Sequence, residues 1–284
     1  MPAADAAPYG SDVPGPGIAA AVADAVEAVT AGAPRPLRAT VLTQWWRDAT
    51  FLHWPVDPDV VAPRMPPGVR PDVQDGVSWI GLIGFRMVGL GFGPLGGVPF
   101  FGSFLETNVR LYSVDRMGRR GVVFLTLDAT RLVPVLASRV WPNVPYAWSA
   151  MRLERNGRPA TGTARLRPGE RLSYDARRRW PAPRGATSRF TVEVGDPLVE
   201  PSPLESFLTA RWGLHTRTVT GRTRYLPNDH PTWPLRRAEL VDLDDGLVAA
   251  TGLPQPVGPP ASVLVSDGVP VRFGPPLPRA PLAV

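Results

Sequence analysis

Glu106 is the residue in this chain best placed to move a proton. It lies in the run Phe104-Leu-Glu106-Thr-Asn108-Val-Arg110-Leu-Tyr112. In a β-strand the even positions Phe104, Glu106, Asn108, Arg110 and Tyr112 share one face. A carboxylate in line with an amide, a guanidinium and aromatic rings has the components of a small-molecule pocket. The plain alternative is a cross-strand ion pair on the surface. The run Val77–Leu90 offers Trp79, Gly81, Ile83, Phe85 and Met87 on one side, and Ser78, Ile80, Leu82, Gly84 and Arg86 on the other.

The chemistry open to these residues is bounded by what is missing. All 31 residues counted as Lys or Arg are arginine, and cysteine is absent. Guanidinium keeps its proton, so a lysine Schiff base, covalent pyridoxal phosphate and a P-loop lysine on phosphate are excluded. Thiolate nucleophiles, disulfides and cysteine metal sites are likewise excluded. A GC-rich genome would produce the same arginine bias, and the exclusions hold whatever its cause. Chemistry must run on Asp, Glu, Tyr, hydroxyls, fixed arginine charge and the three histidines His53, His215 and His230. Those histidines show no close metal-ligand spacing, so no metal is expected.

Three motifs carry less than they promise. Gly91-Phe-Gly93-Pro-Leu-Gly96 spells a dinucleotide fingerprint, but Pro94 interrupts it and no helix follows to receive pyrophosphate. Arg165 to Arg189 contains eight arginines; alternating polar residues favour a solvated hairpin edge over a nucleic-acid surface. Asp242-Leu-Asp244-Asp245-Gly246 starts like a calcium loop and lacks its closing glutamate, so it reads as a turn.

The elements that must position Glu106 are mostly strands. Residues 1–40 read as a disordered tail followed by a short amphipathic helix over 17–31, 41–275 as a single domain, and 276–284 as a proline-rich tail. Strands are expected at Ala49–Trp54, Val77–Leu90, and the hairpin Phe104–Val114 with Val122–Thr130. A second hairpin, Ala147–Arg155 with Arg158–Arg167, straddles Asn156-Gly157. Asp57-Pro58 starts a short helix, Leu132–Trp141 reads as another, and Ser202-Pro-Leu-Glu205 is a capping box opening a helix through Arg211. Two or three strands follow, then proline-rich chain after Pro254. Hairpin-linked strands with few short helices define a mainly antiparallel α+β class. With 44% hydrophobic residues, no signal peptide and no apolar run of membrane length, a cytoplasmic globular protein is expected.

Several stretches taken together carry a resemblance. Phe51-Leu-His53-Trp54-Pro-Val56, Val77-Ser-Trp79-Ile-Gly81-Leu-Ile-Gly-Phe85-Arg86-Met87, Glu106-Thr-Asn108-Val-Arg110 and Phe124-Leu-Thr-Leu-Asp128-Ala129 occur in that order. Leu204-Glu205-Ser-Phe207-Leu-Thr-Ala-Arg211-Trp and His230-Pro-Thr-Trp233-Pro-Leu235 follow. Across roughly 44–275 the chain resembles the YqjF-like family, which is similar to the acetoacetate decarboxylase-like superfamily. The resemblance implies a cone-shaped antiparallel β-barrel with peripheral helices and an internal pocket. It makes Glu106 the counterpart of a barrel-strand glutamate that, in the decarboxylase, faces a Schiff-base lysine. The lysine-bearing segment corresponds to Arg139-Val-Trp141-Pro-Asn143-Val-Pro145-Tyr146-Ala147, so the lysine position falls near Tyr146 and no imine can form. The superfamily's first-strand arginine is also missing, with Trp54-Pro55 in its region.

On that frame the expected function is a lysine-independent, cofactor-free lyase, dehydratase, isomerase or cyclase acting on a small carbonyl or polyketide-like molecule. Glu106 would be the acid/base, Tyr146 a hydrogen-bond donor, and His53 a second acid/base. Arg86 or Arg110 would hold a carboxylate or enolate beside Asn108, and Trp54, Trp79, Trp141 and Trp148 would form an apolar wall. The alternatives are a non-catalytic ligand-binding barrel and, behind both, nucleic-acid binding through the arginine cluster. A homo-oligomer is left open and a membrane partner is not expected.

Overall fold

The computed structural model describes residues 26–93, 97, 102–131 and 144–277. The expected helices over 17–31 and Leu132–Trp141 fall wholly or mostly outside these residues, as does Trp141. Residues 26–31, which are described, are not helical. They lie on the body, where Glu27 donates its N–H to the Gly118 carbonyl and Trp212 Nε1 donates to the Thr30 carbonyl.

Thirteen strands form one sheet: β1 (Leu42–Val56), β2 (Val69–Pro71), β3 (Ser78–Phe92), β4 (Phe104–Asp115), β5 (Arg120–Ala129), β6 (Tyr146–Arg155), β7 (Arg158–Pro159), β8 (Arg171–Trp180), β9 (Thr187–Pro197), β10 (Gly213–Arg217), β11 (Thr223–Asp229), β12 (Leu235–Asp245) and β13 (Ser262–Phe273). Among the described residues three short α-helices, α1 (Pro58–Val61), α2 (Pro203–Thr209) and α3 (Leu247–Ala250), punctuate it. Pairing is antiparallel except where β5 meets β6 and β10. The sheet closes because β13 pairs with β1 at one end of the β1-β3-β4-β5 wall, while β5 pairs with both β10 and β6 at the other. Two circuits therefore share that wall. One returns through β10 and β11, the other through β6, β8, β9 and β12. This is a mainly antiparallel, closed, ring-like sheet rather than a simple barrel.

The shared wall explains the burial pattern. β3 is buried on both faces over Ser78–Phe85, so its sequence is nearly continuously apolar instead of alternating. On one side Leu52, Trp54, Ile80, Leu82, Val109 and Leu111 pack against Tyr174, Phe190 and Val192 as a solid core. Gly84 permits that approach, since a Cβ there would come within 2.6 Å of Tyr174. On the other side Phe51, Ile83, Phe85 and Met87 face β10, β11 and a cavity.

A bulge at Asp48 (φ +50°) shifts the register between Arg47↔Arg86 and Thr50↔Gly84. It brings Gln44 and Trp46, of even parity, onto the same face as Ala49, Phe51 and His53. Arg86 pins the bulge: its Nε and Nη2 donate to Asp48 Oδ2 at 3.0 and 2.7 Å. Across β1, Gly268 sits at φ +106°, where a Cβ would lie 1.8 Å from the Trp46 carbonyl.

Three expectations need correction. The hairpin across Asn156-Gly157 is short: only Arg158–Pro159 pairs back on β6, because Pro159, Gly162 and Pro168 break the run, and along its length β6 pairs with β8. The Asn156-Gly157 turn itself forms, with both residues at positive φ. Four strands follow α2, and β13 lies within the chain read as a proline-rich end, where it closes the sheet. The capping box forms as expected, with Ser202 accepting from Glu205 N–H and Glu205 accepting from Ser202 N–H, although α2 ends at Thr209.

Candidate functional site

Within the β10–β11 circuit lies a cavity of about 360 Å³. Its walls are largely Trp46, Phe51, Phe85, Met87, Phe104 and Trp233, and its polar atoms come mainly from Glu106, Asn108, Arg110 and Tyr146. β4 places the first three by strand alternation, opposite Phe85, Ile83 and Gly81 respectively on β3. Gly81 leaves the room Arg110 occupies, since a Cβ there would come 3.2 Å from Arg110 Cγ. Tyr146 arrives at the start of β6 through the parallel pairing with Leu127 on β5.

Glu106 is buried at 2% exposure and has no arginine partner among the described residues. Tyr146 donates its hydroxyl to Oε2 at 2.7 Å, and Asn108 Nδ2 donates to Oε1 at 3.1 Å. Burial without a counter-ion pushes the carboxyl up to about 7, against the pull of those two donors and with help from the Asp128 charge. Tyr146 is pushed well above its ordinary range by burial and by the neighbouring carboxylate, so it stays a donor.

Arg110 stands at the other end of the polar row. It donates from Nε and Nη2 to the Tyr112 hydroxyl at 3.3 and 3.2 Å, and from Nη2 to the Leu208 carbonyl at 3.0 Å. It too makes no ion pair among the described residues. His53 Nε2 lies 2.7 Å from the Tyr112 hydroxyl, and His53 Nδ1 is buried without a partner. An unpartnered lone pair costs less than an unpartnered N–H, so Nε2 carries the proton and donates to Tyr112. Burial and the charges of Arg110 and Arg211 hold His53 well below the usual histidine range. It is a neutral prop beneath Arg110, one residue layer behind the cavity.

The remaining candidates stand elsewhere. Arg86 points off the opposite face of β3 to Asp48. Trp54 is buried in the solid core and donates Nε1 to the Gly258 carbonyl at 3.2 Å. Trp79 packs beyond the cavity with Tyr112 and Phe207. Trp148 lies 5.1 Å beneath the Arg179 guanidinium. Trp46 and Trp233, stacked at 5.9 Å, are instead the tryptophans of the wall. Trp46 lies ahead of the expected first strand, and the Asp48 bulge reverses its parity. Trp233 lies in the His230-Pro-Thr-Trp233 stretch, the only signal that could have pointed to it.

The arginine cluster does not form one face. Arg178 is buried on Asp128, with Nε and Nη2 at 2.8 and 2.6 Å, while Arg171 and Arg189 pair across strands with Glu193 and Asp175. His215 and His230 occupy separate buried environments, and among the described residues no cluster of three metal-ligating side chains occurs. No helix among the described residues is long and apolar enough to cross a membrane.

Residues 43–270 match the DUF2071 family, described as uncharacterized conserved protein. The uncharacterized protein YqjF of Bacillus subtilis (strain 168) is 28% identical over 220 residues, covering 78% of this chain and 85% of that protein. Among solved structures, the enduracididine biosynthesis enzyme MppR complexed with pyruvate is similar with a TM-score of 0.59 at 18% identity, over 86% of this chain and 92% of that one. An acetoacetate decarboxylase-like enzyme from Sphingomonas wittichii RW1 gives a TM-score of 0.57 at 15% identity, over 86% and 94%. These likenesses establish the acetoacetate decarboxylase-like fold.

Proposed function

This chain belongs to the DUF2071 family, and we propose that it is a lysine-independent acid/base enzyme acting on a small carbonyl compound held in the cavity. The observation that carries the reading is Glu106: a buried carboxyl on an apolar cavity wall, held by Tyr146 and Asn108, with its pKa near 7. A group so poised exists in both protonation states at neutral pH, as general acid/base catalysis requires. As carboxylate, Glu106 takes a proton from the carbon next to the carbonyl. As acid, it returns one to carbon or to a leaving oxygen. Tyr146 keeps its proton on Glu106, the second N–H of the Asn108 amide is the donor for the charge that develops on oxygen, and the aromatic walls exclude water. Arg110 holds an anionic substituent. Isomerisation, dehydration and aldol-type cyclisation all begin from this proton transfer, and none of them needs an amine on the protein.

The fold likeness to enzymes of small carbonyl compounds supports this reading, as does the orientation of the β4 face. A non-catalytic binding barrel is the second reading, favoured by the absence of lysine from a fold whose decarboxylase members use one. Native mass spectrometry against keto acids, enones and linear polyketide mimics separates the two. Conversion by the wild type and not by Glu106→Gln is expected; binding without conversion would establish the carrier, and no binding would sink both.

A further inference from the structure

We infer that the cavity takes an elongated oxo-carboxylate, with its carboxylate and its reacting carbonyl several carbons apart and a hydrogen-bond donor between them. The inference rests on the Glu106 end of the function proposed above and adds the ligand's shape and substituents. Glu106 and Arg110 are four positions apart on one strand face, so their Cα atoms are separated by about 13 Å. Their side chains do not close that gap. Arg110 leans away from Glu106, because Nε and Nη2 are both bound to the hydroxyl of Tyr112, two positions further along. Glu106 is held by Tyr146 on one oxygen and by Asn108, midway along the row, on the other, and makes no bond to Arg110.

Taking that Cα separation as the distance between the two poles, and allowing about 3 Å for the contact at each, leaves ~7 Å between the ligand's two polar ends. At ~1.25 Å of advance per carbon–carbon bond, some six bonds span this distance. A 2-oxo or 3-oxo acid reaches one pole and misses the other. Arg110 has a free hand for the carboxylate, since its Nη1 makes no hydrogen bond to a described residue and no carboxylate neutralises it. Between the poles stands Asn108, 2% exposed and lining the cavity. Its Nδ2 is used on Glu106, while its Oδ1 is buried with no partner. An acceptor in that position is satisfied by a hydroxyl or N–H on the ligand. The rest of the row is apolar, matching a hydrocarbon chain.

Calorimetric titration of the full chain tests this with 4-oxopentanoate, 7-oxooctanoate, the 7-oxooctanoate methyl ester and 4-hydroxy-7-oxooctanoate. The longer acid should bind at least about tenfold tighter than 4-oxopentanoate, and the ester should lose about tenfold, the scale of one charge-assisted hydrogen bond. The 4-hydroxyl should add affinity that Asn108→Leu removes, and Arg110→Met should erase the preference for acid over ester. Equal binding of short and long acids, equal binding of acid and ester, or binding of none overturns the inference. These comparisons use the wild-type protein, so a variant that fails to fold does not obscure them. Conversion is scored separately: this binding order without turnover supports the ligand assignment and overturns the catalytic reading.

Discussion

Replacing Glu106 by glutamine should stabilise the protein, and only at high pH. The carboxyl is held at about 7 in the folded chain against 4.5 for a free glutamate. A folded-state pKa above the unfolded one means that the folded protein binds the extra proton between those values. The contribution of this group to stability is therefore fully present below pH 4.5, is lost as the pH rises through 7, and is gone above it. The difference amounts to about 3 kcal/mol of stability at pH 8. Glutamine keeps a carbonyl oxygen for Tyr146 and cannot ionise, so Glu106→Gln escapes the loss. For a chain of this size the gain corresponds to roughly 6–10 °C in Tm. Urea or thermal denaturation of both proteins from pH 5 to 8.5 reads it as a gap that opens with pH. Any constant offset from altered hydrogen bonding cancels in that comparison. Parallel stability curves would show that Glu106 is not a buried, uncompensated carboxyl, and the chemistry proposed for it would lose its basis.

Tyr146→Phe removes a donor that holds the Glu106 pKa down. The pH at which Glu106 ionises should therefore move above 7, read as a displaced carboxyl titration by carbon-detected NMR. Arg178→Met strands Asp128 in the solid interior and should cost about 3–5 kcal/mol in urea denaturation, most of it recovered by adding Asp128→Asn. Gly157→Ala and Gly268→Ala both place a side chain at positive φ, but only Gly268 also meets backbone, at 1.8 Å. The first should lose about 1 kcal/mol and the second more than about 3 kcal/mol. Comparable losses would mean that crowding beside Trp46 is not what demands glycine there.

Much of the β4 face was legible in the sequence, because period-two alternation alone puts Glu106, Asn108 and Arg110 together. The same rule already set Arg86 on the face opposite Phe85, which is where it stands. Alternation misled where the backbone broke its period: the Asp48 bulge carries Trp46 and Phe51 to one face although their numbers differ in parity. It was uninformative on β3, where both faces are buried and the apolar run has no polar side. The Asn156-Gly157 turn was readable, but the partner of β6 was not, since β8 arrives after an irregular excursion that local sequence does not describe. β13 was hidden by the prolines and glycines around it, and its role depends on meeting β1 more than two hundred residues away. Trp54 and Trp79 looked like pocket aromatics by type, and only the two-circuit topology shows that each fills a core instead.

The central claim is that Glu106 moves a proton to and from carbon without any lysine. Hydrogen–deuterium exchange next to the carbonyl of 7-oxooctanoate, followed by proton NMR in D2O, measures that step directly. The account predicts exchange accelerated by the wild-type protein, a rate rising through about pH 7 as Glu106 ionises, and a loss of about a hundredfold or more in Glu106→Gln. Exchange that persists unchanged in Glu106→Gln, or a bound ligand that exchanges no faster than in buffer, would contradict it.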